Sequence, residues 1–165
     1  MCAYLKERWE KPGSRYHVMK EMFACLHKLE VLSADWPKKV RHYEKVLFGG
    51  GRKQYEALHQ YRMPDKIAEQ LLSYFIYVYF AGAVYDGMPY SKVKLAVIST
   101  MLIEDMVCAK AAEKGQLSFE AIADAAHSYA REVEHSDLNL QRLSIMFRHQ
   151  KCFHIGRLCG ALLEW

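Results

Sequence analysis

Asp65-Lys66-Ile67-Ala68-Glu69-Gln70-Leu71-Leu72-Ser73-Tyr74-Phe75-Ile76-Tyr77-Val78-Tyr79-Phe80-Ala81-Gly82-Ala83-Val84-Tyr85 is the most hydrophobic stretch of the chain. Met63-Pro64 supplies a helix start before it and Asp86-Gly87 a stop after it. Its middle is apolar on every side of a 3.6-residue period, which predicts a helix enclosed by others at the centre of the domain. The uninterrupted apolar part, Leu71 to Tyr85, includes Ser73 and several tyrosines and falls short of the ~20 residues that span a bilayer. A buried core helix, with no membrane partner, is the expectation.

Working outward, the spacing stays helical and no strand is needed. On the N-terminal side, Gly49-Gly50-Gly51 stops a helix that Asp35-Trp36-Pro37 starts, with Val40, Tyr43 and Leu47 facing inward. A short segment, Arg52 to Tyr61, follows the glycines. Before these, Pro12-Gly13 precedes Ser14, a cap for a helix whose Met19, Met22, Phe23, Leu26 and Leu29 form one stripe ending near Ser33. On the C-terminal side, Asp86-Gly87-Met88-Pro89 turns into a long helix from about Tyr90 to Lys114, with Val93, Val97, Met101 and Val107 inward and Gly115 closing it. Ser118 caps an amphipathic helix with Phe119, Ile122, Ala126, Tyr129 and Val133 as its stripe. Ser136 restarts the chain for Leu140, Leu143, Met146 and Phe147, and a last apolar helix carries Ile155, Leu158, Leu162 and Trp165. The prediction is an all-α single domain over residues 1–165, with six or seven helices in an orthogonal or bundle-like arrangement around the helix at 65–85.

The composition agrees: 165 residues are enough for a core without staples, and 52% hydrophobic with 25% charged residues is globular. The N-terminus has no apolar signal region, so a cytoplasmic location is expected. Five widely spaced cysteines, Cys2, Cys25, Cys108, Cys152 and Cys159, read as reduced thiols rather than a disulfide framework. The net charge of +4 is uneven, with residues 1–66 carrying 14 Lys and Arg against 8 Asp and Glu. No basic run appears, which argues against nucleic acid as a partner.

Motifs for dinucleotides, nucleotide phosphates, serine hydrolysis and zinc ribbons are missing from the sequence. Two Glu-x-x-His pairs, Glu56–His59 and Glu132–His135, have the spacing of a carboxylate-bridged di-metal bundle, with Glu69, Glu104 or Asp105 as further ligands. Solvated surface pairs explain the same spacing. His149, Cys152, His154 and Cys159 are zinc-ligand types that scatter around a helix; Cys152 and Cys159 alone share a face and read as core thiols. Glu104 and Asp105, inside an apolar run, predict one acid paired with Lys92, Lys94 or Arg131 and one exposed. Tyr129 to Asp137 is the densest run of titratable groups; it lines a pocket or marks an ordinary helix corner.

Four stretches carry a resemblance: Tyr74-Phe75-Ile76-Tyr77-Val78-Tyr79-Phe80, Ala83-Val84-Tyr85-Asp86-Gly87, Lys92-Val93-Lys94-Leu95-Ala96-Val97, and Tyr129-Ala130-Arg131-Glu132-Val133-Glu134-His135-Ser136-Asp137-Leu138-Asn139-Leu140. Upstream, Glu30-Val31-Leu32 and Trp36-Pro37 belong to the same pattern. The chain resembles the C-terminal region of the flagellin lysine-N-methylase family, without that family's N-terminal Cys-x-x-Cys-x-x-Cys-Cys cluster. The resemblance implies a C-terminal fragment or a shortened relative, non-catalytic alone if the chemistry needs the cluster and then serving substrate docking or scaffolding. It further implies a lysine-bearing protein such as flagellin as partner. If the chain is active, it implies S-adenosylmethionine as methyl donor, with Tyr85 and Asp86 at the cofactor and Glu132, Glu134 and His135 as catalytic residues. Two other classes stay open: a helical interaction or self-association module forming homo-oligomers, and a metal-binding bundle.

Overall fold

The computed structural model describes residues 14–164, so the readings placed on Cys2, Pro12-Gly13, the N-terminal signal region and Trp165 lie outside it. Within that range the chain is all-α. Eight helices have eight residues or more: α1 (Arg15–Leu26), α2 (Trp36–Phe48), α3 (Gly51–Leu58), α4 (Asp65–Tyr79), α6 (Pro89–Lys114), α7 (Phe119–Tyr129), α8 (Asp137–His149) and α9 (Ile155–Leu163); a single turn, α5 (Ala83–Asp86), lies between α4 and α6. The count exceeds six or seven because Gly49–Gly51 breaks the chain for only two residues. Gly51, at φ +78°, opens α3 at once.

Polar residues set the helix ends. Ser118 Oγ accepts the Ala121 amide and Ser136 Oγ accepts the Asn139 amide, each at 3.2 Å, as N-caps do. Pro37 sits in the first turn of α2, and Gly115 closes α6 in the left-handed conformation at φ +70°.

The centre of the domain is α6, not the stretch at 65–85. Residues 101–109 of α6 are buried without a break, with α4, α7, α2 and α8 packed around them. Sequence pattern hides this because α6 carries polar groups whose partners come from elsewhere in the fold. Lys94 Nζ donates to the Phe147 carbonyl at 2.8 Å, Ser99 Oγ pairs with Tyr129 Oη at 2.8 Å, and Glu104 and Asp105 meet Arg15.

The 65–85 stretch lies at the periphery. It bends through a tight turn at Phe80–Gly82, and of α4 only Phe75 is fully buried. Ile67, Ala68, Leu71, Leu72 and Tyr79 pack against the core from one side, while Tyr77, Val84 and Tyr85 face outward. Uniform apolarity therefore marked a helix with one packed face and one open apolar face. The continuous span Asp65–Asp86, 22 residues, is longer than the apolar run read from the sequence and by length and composition alone is long and apolar enough to cross a membrane; only 6% of its window is buried in the protein, unlike a core helix.

The stripes of α1 and α2 fall where the spacing puts them: Met19, Met22, Phe23, Leu26, Val40, Tyr43 and Leu47 are all core. Four others differ. Phe119 is 79% exposed at the first position of α7, Val93 and Ile155 also stay outside in the first turn or so of their helices, and Leu162 is exposed in the last turn of α9. Cys25, Cys108, Cys152 and Cys159 are free thiols.

Candidate functional site

Arg15, at the start of α1, is 2% exposed. Its Nη2 donates to Glu104 Oε2 at 3.3 Å and to Asp105 Oδ1 at 3.2 Å, and Tyr55 Oη donates to Asp105 Oδ2 at 2.8 Å. Consecutive helical residues diverge by about 100°, so a single long planar cation is needed to reach both acids. The sequence reading of one paired and one exposed acid is thus corrected: both are buried, and the partner is Arg15 rather than Lys92, Lys94 or Arg131.

Two carboxylates facing one guanidinium leave an excess of negative charge in a dry environment. Burial pushes Glu104 up to about 7 against the attraction of Arg15, with Asp105 pushing the same way. Asp105 also rises through burial, opposed by Arg15 and Tyr55. Burial alone would lower Arg15, but Asp105, Tyr55 and Glu104 carry it upward.

Glu104 also borders a cleft of about 340 Å³ between α4 and α6. Ala68, Leu72, Val97, Met101 and Leu162 give it apolar walls. Asp65, Glu69 and Arg62 stand with Glu104 around it, and Arg62 is salt-bridged to Asp65. Three acids stand against two arginines, Arg62 on Asp65 and Arg15 on Glu104, and this surplus of one carboxylate with methyl and methylene walls suits a ligand that carries a cation at the end of an apolar stem.

The residues singled out from sequence lie elsewhere, around a π turn at Ala130–Glu134 that closes with the His135 amide on the Ala130 carbonyl at 3.1 Å. Glu132 is buried, and its Oε2 accepts the Leu32 and Ser33 amides at 3.0 and 3.2 Å. Asn139 completes this clasp: Oδ1 accepts the Glu30 amide at 2.7 Å, while Nδ2 donates to the carbonyls of Glu30 at 2.9 Å and Glu132 at 2.7 Å. Glu134 accepts the hydroxyls of Tyr74 and Tyr79, each at 3.0 Å. His135 is exposed at the end of the π turn. The stretches around Glu30, Tyr74 and Glu132, distant in sequence, therefore meet in space.

Tyr85 and Asp86 do not join them: among the described residues, no hydrogen bond or ion pair connects either to Glu132, Glu134 or His135. Asp86 Oδ2 lies 2.7 Å from Lys92 Nζ and its Oδ1 accepts the Met88 amide at 2.9 Å, with both contacts holding its pKa down. Tyr85 is 92% exposed. The Asp86 carboxylate is thus met by Lys92 while the Tyr85 ring is open to solvent.

Residues 3–161 match the family model described as the FliB lysine N-methylase C-terminal domain. The chain belongs to this family. Comparisons with curated proteins and with solved structures returned no match.

In this family member, no three His, Cys, Asp or Glu side chains among the described residues come together as a metal-binding group. Glu56 of the first Glu-x-x-His pair is held by Arg52 Nε at 2.6 Å, and His59 packs edge-on against Tyr55. Sequence reasoning left Arg15 unassigned, although a signal was present. Arg15 lies four, seven and eleven residues before Met19, Met22 and Leu26, in phase with the buried stripe, and a cation in that phase requires a buried acid.

Proposed function

We infer that this domain docks the lysine side chain of a protein substrate during lysine N-methylation, with the cleft between α4 and α6 as the receptor. The observation that carries the reading is Glu104, a buried carboxyl pushed up to about 7 at the edge of an apolar cleft with an acidic surplus. A lysine offers four methylenes for the walls and an ammonium for the acids. Family membership supplies the chemical context, and flagellin or another lysine-bearing protein of the cytoplasm is the substrate proposed. The role proposed is docking.

Calorimetric titration tests this with a lysine-containing flagellin peptide and the same peptide carrying norleucine, which keeps the stem and removes the charge. The expected result is saturable binding of the lysine peptide, weakened about tenfold or more by Glu104→Gln, equivalent to ~1.4 kcal/mol. Equal binding of the norleucine peptide, or binding unaffected by Glu104→Gln, overturns it.

A further inference from the structure

The outward face of the 74–85 segment is the most exposed apolar surface in the described chain. Tyr77 is 87% exposed, Val84 85% and Tyr85 92%, with Tyr74, Val78 and Phe80 each between 43% and 48% beside them. A fully exposed aromatic presents roughly 150–250 Å². On that scale the six side chains expose on the order of 800 Å², above the ~300–600 Å² of the largest patch on an ordinary monomer. The same figure is what each partner contributes to a stable interface of standard size.

Charge narrows the choice of occupant. From Gln70 to Tyr85 there is no Asp, Glu, Lys, Arg or His. Of the charges beside the segment, Glu69 lines the cleft between α4 and α6, Glu134 accepts the hydroxyls of Tyr74 and Tyr79, and Asp86 and Lys92 are paired with each other. A charged partner would bury its own charges without compensation here, whereas a second copy brings an equally neutral face. Lipid is a poorer fit: interfacial helices present basic side chains beside their apolar face, and the opposite side of α4 is packed against the core through Phe75, Leu71 and Leu72.

We propose that this face is a self-association surface, on which two copies pair about a two-fold axis through Tyr77, Val84 and Tyr85. A two-fold interface uses the same patch on both copies, so an uncharged and tyrosine-rich patch is its own complement. The hydroxyls of Tyr77 and Tyr85, which no described residue engages, are then placed to bond across the pair.

Sedimentation equilibrium across a dilution series reads this directly. The expected mass rises from 19.2 kDa at low concentration to twice that value. Tyr77→Lys combined with Val84→Lys places like charges across the axis and holds the protein at the monomer mass, with unchanged circular dichroism because both side chains are exposed. Mixing Tyr77→Lys with Tyr77→Glu chains restores a pair. A wild-type mass of 19.2 kDa at every concentration, a dimer that survives the double substitution, or flotation of monomer with phosphatidylserine vesicles overturns the proposal.

Discussion

Arg15 Nη2 lies 3.3 Å from Glu104 Oε2, joining the first described helix to the central one across 89 residues of sequence, with both side chains out of solvent. The contact ties the core to the cleft. Losing one partner of such a buried pair leaves a charge that water cannot reach, a greater effect than the pair's own attraction.

Replacing Arg15 with Met is therefore expected to destabilise the fold by about 3–5 kcal/mol. Glu104 and Asp105 would then face each other without a cation. Urea unfolding at neutral pH measures the loss, which should shrink in acid as the two carboxyls take up protons. A loss below about 1 kcal/mol would show that the network is solvated, as exposed pairs are.

Glu104 also gives stability a pH dependence of definite sign. Its folded-state carboxyl sits at about 7 and the ordinary value is 4.5, so the folded chain holds the proton more tightly. That contribution is fully present below 4.5, is lost as pH rises to about 7, and is flat above. His59 acts oppositely: burial and the nearby Arg15 hold it at about 4 against 6.5, so its contribution is lost as pH falls through that window. Comparing wild type with Glu104→Gln isolates the first effect. The Gln variant should gain on wild type as pH rises, by up to about 1.4 kcal/mol per unit; parallel stability curves contradict this.

Asn139 is the keystone of the clasp between residues 30–33 and the π turn. It is fully buried, and Asn139→Ala would strand the buried Glu132 carbonyl at about 1–3 kcal/mol and free the part-buried Glu30 amide. Hydrogen exchange should accelerate first at Glu30, Leu32 and Ser33. Uniform acceleration over the whole chain would mean that the clasp is not a local unit.

Helix existence was legible because caps and breakers act locally. Ser118, Ser136, Pro37 and Gly115 mark ends through their own backbone chemistry, and the stripes of α1 and α2 are fixed by period alone. Which helix occupies the centre was not legible. The α6 segment conceals its burial behind Lys94, Ser99, Glu104 and Asp105, whose partners come from distant parts of the chain, and the 65–85 segment looks buried because an open apolar face and a packed one read alike. The cleft was harder still. Glu104 was visible as an acid in an apolar run, but its cation, Arg15, and its walls from α4 and α9 meet only on folding. Residues 129–137 read as a titratable cluster, and the fold uses Glu132 there, with Asn139 just beyond it, to bind backbone.

Docking of an ammonium in the cleft requires the ionised form of Glu104. Affinity for a lysine peptide should therefore strengthen as pH rises through about 7 and level off above, because the protonated acid has no charge to offer. Binding isotherms at a series of pH values check the trend, and affinity that weakens over the same interval contradicts it.

The most direct test is a carbon-detected NMR titration of the Glu104 carboxyl, assigned through Glu104→Gln, with and without the lysine peptide. The account predicts a midpoint near 7 in the free protein and a clear fall in that midpoint when the peptide ammonium occupies the cleft. A midpoint that the peptide leaves unchanged would contradict the assignment of this cleft to a lysine side chain.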